Sequence, residues 1–285
     1  MSVPTTEAIA SSRVGANRRG RTALVRTGIG EIIARRRLTR YLVGAELKRT
    51  HADTAFGQIW WVLDPLLQMI VYAFVVTVIF QRSTPDYPLF VFAPILAWKW
   101  FSATLNEAAL SVTGRQQLIR QIQFPKLVLP TSAVMAGTVS FAFGLIALGI
   151  VYLFFLPRLS LWVLTIPLIA AVQFVFTLAL GILFSAMNAF FRDIQNVLHH
   201  LLRLWFYLSP ALYSLDVIAK DHPSLYTLFS LNPMAVLLDS YRAVTWGMGA
   251  PNWLGLGIVL AVSGLLVLVA IYLFKRAEPA FARIL

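Results

Sequence analysis

The side chains able to do acid–base chemistry are few, and one group of them is compact: Asp216, Asp221, His222, Asp239 and Arg242. Carboxylates, a histidine and a guanidinium suit general acid–base transfer when they converge on one site, as they would in a membrane glycan-transfer enzyme. The same residues also have a structural reading. Asp239 and Arg242 stand three apart, the spacing of an ion pair on one helix face, and pairing lowers the cost of bringing charge towards lipid. The four histidines are His51, His199, His200 and His222. His199 and His200 are adjacent and point apart on a helix, which argues against a metal pair. The chain has no cysteine, which removes disulfides, thiolate metal sites and cysteine nucleophiles. No Gly-Lys pair occurs, so there is no phosphate-cradling nucleotide loop, and work done with ATP needs another chain to bind it.

The elements that must position these residues are set by composition. The chain is 59% hydrophobic, 13% charged, and has a mean hydropathy of +0.74 over 285 residues. That is a polytopic membrane protein, and the length allows about six helical crossings. The net charge of +12 is unevenly placed, since 11 of the 24 basic residues precede His51. A basic block ahead of the first apolar span predicts a cytoplasmic N-terminus, and no aromatic-interleaved groove pattern accompanies it that would suit nucleic acid.

Residues 1–27 read as a flexible basic cytoplasmic tail and 28–59 as an amphipathic interface region, with Ile32, Ile33, Leu38, Leu42 and Leu47 set among Arg35, Arg36, Arg37, Arg40, Lys48 and Arg49. Residues 60–285 read as a six-span domain with crossings near Trp60–Phe80, Leu89–Val112, Leu127–Leu156, Leu161–Met187, Phe190–Leu215 and Leu254–Phe274. Trp98-Lys99-Trp100 and Asn106-Glu107 make the second uneven, so a re-entrant hairpin stays open there. Gly137, Ser140, Gly144 and Gly181 allow close helix approach. The fifth passes from Arg192-Asp193 through an aromatic run to Ser209-Pro210, a broken backbone tolerated only where it is buried in protein or lines a cavity. Between it and the last crossing, Asp216 to Asn252 reads as short helices dipping into the outer leaflet. Basic residues concentrate on the inner side of this topology, so both termini lie in the cytoplasm. Aromatics at crossing ends, among them Trp60, Trp61, Trp205, Phe206, Tyr207 and Tyr213, form an interfacial belt or offer ring faces to passing sugars.

Seven stretches in order then carry a resemblance: RYLVGAELKRTHADTAFGQIWW, its continuation VLDP, LIRQIQFPKLVLP, FFRDI, LSPALY, LNPMAVLLDSYR and FKRAEPAFARIL. From about Arg40 onward the chain resembles the permease subunits of ATP-binding cassette exporters of O-antigen, teichoic acid, capsule and related lipid-linked polysaccharides. The resemblance implies an all-α homodimer of six-span subunits in a bacterial plasma membrane, without catalysis or a cofactor of its own. Two copies of a separate ATPase would bind ATP and Mg. It implies ATPase docking by the segment Arg40 to Phe56, including Leu47, Lys48 and Arg49, and by the loop Gly114 to Phe124, including Arg115, Leu118, Ile119, Arg120 and Phe124. The first and fifth spans would line the path, bringing Trp60, Trp61, Tyr72, Trp205, Phe206, Tyr207 and Tyr213 to it. Re-entrant outer gate helices before the last span would carry Asp216, Asn232, Pro233, Asp239 and Arg242. Ala93 stands where the family pattern has Gly. The long basic tail and the Ala and Arg usage suggest an actinobacterial member exporting cell-wall galactan, while a small lipid or drug is the alternative cargo.

Overall fold

The computed structural model describes residues 20–50, 57–79, 81, 84–221 and 223–284. Outside them lie the expected tail up to residue 19, residues 51–56 of the interface segment with His51, and His222 of the acid–base group. In lipid every backbone N–H and C=O must be satisfied within its own segment, so apolar runs of this length become helices. The described residues form helices α1 (Arg21–Ala34), α2 (Arg36–Thr50), α3 (Trp60–Phe74, with a π-helical extension Val75–Ile79), α4 (Tyr87–Leu110), α5 (Gln116–Gln121) and α6 (Val128–Tyr152). They continue with α7 (Ile166–Phe190), α8 (Ile194–Leu208), α9 (Leu215–Asp221), α10 (Pro223–Ser230), α11 (Pro233–Thr245) and α12 (Trp253–Ile284). Among the described residues there is no strand.

Among the described residues five helices are long and apolar enough to cross a membrane: Trp60–Ile79, Tyr87–Leu110, Val128–Tyr152, Leu161–Phe190 and Trp253–Phe281. The expected fifth crossing is different. Its helix α8 has 15 residues, a rise of about 22 Å against a hydrocarbon core of about 30 Å. The chain beyond it turns into the short helices α9 to α11 expected there. Helix α1 runs across the expected boundary at residue 27.

The centre of the bundle is α4, which packs against α3, α6, α7, α8 and α11. It is one continuous helix, so the hairpin left open by its uneven sequence is not formed. The unevenness has a packing reason. Trp98 and Trp100 turn inward, Trp98 against Phe101 and Phe206 and Trp100 stacked on Phe141 at 4.4 Å. Lys99 between them faces α3 and pairs with Asp64 at 3.0 Å. Asn106 donates to its own helix at Ser102 O, and Glu107 pairs with Arg49.

Lipid tails are as apolar as leucine, so burying apolar surface between crossing helices gains little, and close approach plus polar clips decide the packing. Gln173 Nε2 donates to Ala97 O at 2.8 Å, and Asn188 Nδ2 to Ala109 O at 3.1 Å, joining α7 to α4. A side chain at Gly137 would collide with Thr104, and one at Gly144 with Leu96, so both glycines of α6 are what let α4 lie against it. Gly149 of the same helix faces open space. Gly137→Val and Gly144→Val are expected to lower stability by about 1–3 kcal/mol each through overpacking. Gly149→Val is expected to change it by less than about 1 kcal/mol. Thermal unfolding of the detergent-purified variants checks the contrast.

Candidate functional site

Helix α8 stops at Leu208, and the chain beyond it is extended at Ser209 and buried through Ala211. Carbonyls that have lost their helical partners in such a place must find side chains or pay the desolvation cost. Those of Tyr207, Leu208, Pro210, Ala211 and Leu212 do. Asn232 Nδ2 donates to Leu208 O at 3.2 Å and to Ser209 Oγ at 2.9 Å. Arg242 Nη2 donates to Pro210 O at 2.5 Å and Ala211 O at 3.0 Å. Tyr87 Oη donates to Leu212 O at 3.0 Å, and Tyr213 Oη to Tyr207 O at 2.8 Å.

Two of the donors, Asn232 and Arg242, are placed by α11 for local reasons. Asn232 is its N-cap, its Oδ1 accepting from Met234 N at 3.0 Å and from Trp205 Nε1 at 2.9 Å, and Pro233 fills the first helical position. Arg242 lies two turns on, 3% exposed, over the Phe90 ring at 4.2 Å and 3.6 Å from Asp239. The expected outer residues Asn232, Pro233, Asp239 and Arg242 thus gather around the break. Asp216 joins Asp239 and Arg242 in lining an outer cavity of about 350 Å³ together with Tyr213 and Trp246. The guanidinium is committed to backbone carbonyls, which favours the ion-pair reading of the cluster over an acid–base centre. Among the described residues no group of three His, Cys, Asp or Glu could hold a metal.

Helix α8 has three faces. Leu198, Leu202 and Phe206, spaced by four, are buried in the bundle. Val197, Leu201, Leu204 and Leu208 make an exposed apolar stripe. Asn196, His199, His200, Arg203 and Tyr207 make an exposed polar stripe, in which Arg203 meets His199 at 3.2 Å. The expected path-lining aromatics divide accordingly. Phe206 is buried and Trp205 half-buried, both against Trp98 in the chain's own core. Tyr207 is 63% exposed. Tyr72 packs on Phe206 at 6.2 Å, and Tyr213 edges Phe229. Trp60 and Trp61 line an inner cleft of about 240 Å³ with Asp64, Lys99 and Trp100. One face of α3 is left uncovered by the rest of the chain, with Leu67, Ile70, Val71 and Phe74 exposed.

On the charged side of the bundle, Glu46 is 7% exposed and takes Arg115 Nη2 at 2.5 Å and Arg49 Nη2 at 2.7 Å. Arg49 also reaches Glu107 at 2.7 Å, and its pKa is raised, chiefly by the hydrogen bond to Glu46. Two of the expected docking residues therefore hold α2, α4 and the loop before α5 together. Glu46 and Glu107 were missed by sequence reasoning, although an acid three residues before Arg49 on an otherwise basic helix is a visible signal. Ile119 is buried against the chain's own core with Leu42 and Phe281, not turned outward with Ile122. Arg40, Lys48 and Arg120 are exposed, and Leu47, Leu118 and Phe124 are half-buried.

The sequence pattern of the ABC-2 type transporter family matches residues 37–246. The chain is 34% identical over 258 residues to the O-antigen export system permease protein RfbA of Myxococcus xanthus, covering 89% of this chain and 97% of that one. It is 31% identical over 247 residues to the RfbA permease of Klebsiella pneumoniae, covering 86% and 93%. It is 21% identical over 251 residues to the polysialic acid transport protein KpsM of Escherichia coli, covering 82% and 91%.

Arg242→Met leaves two buried carbonyls bare and is expected to cost about 2–4 kcal/mol in thermal unfolding. Arg242→Lys recovers only part, because an ammonium lacks the planar guanidinium that lies over Phe90 while its Nη2 donates to both carbonyls.

Proposed function

We propose that this chain, which belongs to the ABC-2 type transporter family, is the membrane-spanning subunit of an ATP-driven exporter that moves a polyprenyl-diphosphate-linked polysaccharide across a bacterial plasma membrane. The observation that carries the reading is the polar stripe of α8. Asn196, His199, His200, Arg203 and Tyr207 are uncovered by the rest of the chain. On a helix at membrane depth, such a face belongs against a water-filled path or a partner, since lipid would leave its hydrogen-bonding groups unpaired. The names of the relatives supply the cargo class, O-antigen and polysialic acid being surface polysaccharides. Cell-wall galactan is the particular cargo we favour.

In this proposal two copies pair so that α3 and α8 of each bound one path, and α8 with α9 to α11 completes a sixth crossing. Both termini then face the cytoplasm, with residues 28–59 along the inner surface ahead of the permease domain from residue 60. A separate ATPase, two copies per dimer, binds ATP and Mg, and this chain catalyses nothing. The exposed residues Arg40, Lys48 and Arg120, with Leu118 and Phe124, offer that ATPase a basic and apolar surface. Its motion reaches the membrane through Glu46, which ties the docking loop at Arg115 to α2 and, through Arg49, to α4 at Glu107. A rigid element biased by the partner's nucleotide state is what such coupling requires. The clamp of Asn232 and Arg242 holds the outer end, where α9 to α11 act as the gate.

The tagged chain, purified from its native membrane in mild detergent, is expected to bring down an ATP-binding cassette protein in equal amount. Arg120→Glu places an acid in the docking loop and is expected to lower that recovery at least about tenfold with insertion intact. Full recovery in this variant contradicts the docking surface, and absence of any such protein from the wild type contradicts the exporter reading.

A further inference from the structure

The groove between α1 and α12 has a volume of about 780 Å³ and a two-part chemistry. Val25 and Ile29 of α1 and Leu268 and Val269 of α12 form apolar walls, and Arg26, Arg276 and Tyr272 supply the polar groups. Ile29, Leu268 and Val269 remain 40–44% exposed within it. The charges nearby are divided unequally. Lys275 takes two carboxylates, Glu31 at 2.7 Å and Glu278, and is thereby neutralised. Its neighbour Arg276 faces the groove, and neither it nor Arg26 pairs with a carboxylate among the described residues. The nearest acids, Glu31 and Glu278, both turn to Lys275, which leaves the two guanidinia open to an anion from outside the chain.

We infer that this groove binds an anionic phospholipid, its phosphate between Arg26 and Arg276 and an acyl chain along Val25, Ile29, Leu268 and Val269. A guanidinium fork matches phosphate oxygens, the apolar walls match a hydrocarbon tail, and a bilayer supplies molecules carrying both. Residue 37 opens the segment matched by the ABC-2 pattern and residue 246 closes it, so both walls lie outside it. The inference is therefore independent of the proposed cargo. A lipid wedged here would tie α1 to the last crossing beside the Glu31–Lys275 pair.

Native mass spectrometry of the full chain in mild detergent, with added dioleoylphosphatidylglycerol or dioleoylphosphatidylcholine, tests it. The wild type is expected to retain the anionic lipid about tenfold better than the zwitterionic one. Arg26→Gln/Arg276→Gln is expected to abolish that preference. Arg36→Gln/Arg37→Gln, which removes two exposed charges outside the groove, is expected to keep it. Millimolar inorganic phosphate is expected to leave the lipid in place, since the tail contributes to binding. Equal retention of the two lipids by the wild type overturns the inference. So does an unchanged preference in the Arg26/Arg276 variant, an equal loss in the Arg36/Arg37 variant, displacement by free phosphate, or occupancy by a peptide.

Discussion

A polypeptide that breaks its helix inside a low-dielectric environment must satisfy the freed carbonyls with its own side chains, and the end of this protein around Ser209 is arranged around that requirement. Helix α8 ends too early to cross alone, and the carbonyls beyond Leu208 are met by Asn232, Arg242 and Tyr87. The capping asparagine of α11 thus does two jobs, starting its own helix with Oδ1 and holding the end of another with Nδ2. Arg242 is tolerated at 3% exposure because its positive charge is spread over two carbonyls, an aromatic face and the neighbouring Asp239. Phe90 under that guanidinium belongs to α4, so the break is anchored to the central helix as well.

The two ends of the bundle are held by different physics. At the end holding the break, charge-assisted hydrogen bonds fix backbone that has no regular partner. At the charged end, short ion pairs join separate helices: Glu46 bridges Arg49 and Arg115, and Lys275 bridges Glu31 and Glu278. Between them, glycines of α6 and amide clips from α7 let helices approach α4 without any hydrophobic drive. A displacement of α2 or of the loop at Arg115 would be carried by these rigid connections into α4, and α4 supports the clamp at the far end.

Five of the six expected crossings were legible because each is a long apolar run, and the break was legible because Ser209-Pro210 cannot continue a helix. The Asp239–Arg242 pair was legible from a spacing of three. What Arg242 does with its other nitrogens was not, since Pro210 lies 32 residues away and nothing local points to it. The Glu31–Lys275 pair joins residues 244 apart and was hidden for the same reason. The packing of Trp205 and Phe206 on Trp98 was hidden for a different one: the run was read as aromatic without fixing its phase, although Leu198, Leu202 and Phe206 at intervals of four mark the buried stripe. The continuity of α4 could not be read from a sequence whose charged residues Lys99 and Glu107 find their partners on α3 and α2.

The central claim is that the polar stripe of α8 faces water within the membrane. The chain has no native cysteine, so single cysteines can be placed without background and labelled in intact membranes with a water-soluble maleimide. The account predicts reaction at Asn196→Cys and Tyr207→Cys, on the polar stripe, and protection at Leu201→Cys on the apolar stripe and at Leu260→Cys on α12. Protection of Asn196→Cys and Tyr207→Cys to the same degree as Leu260→Cys would contradict it.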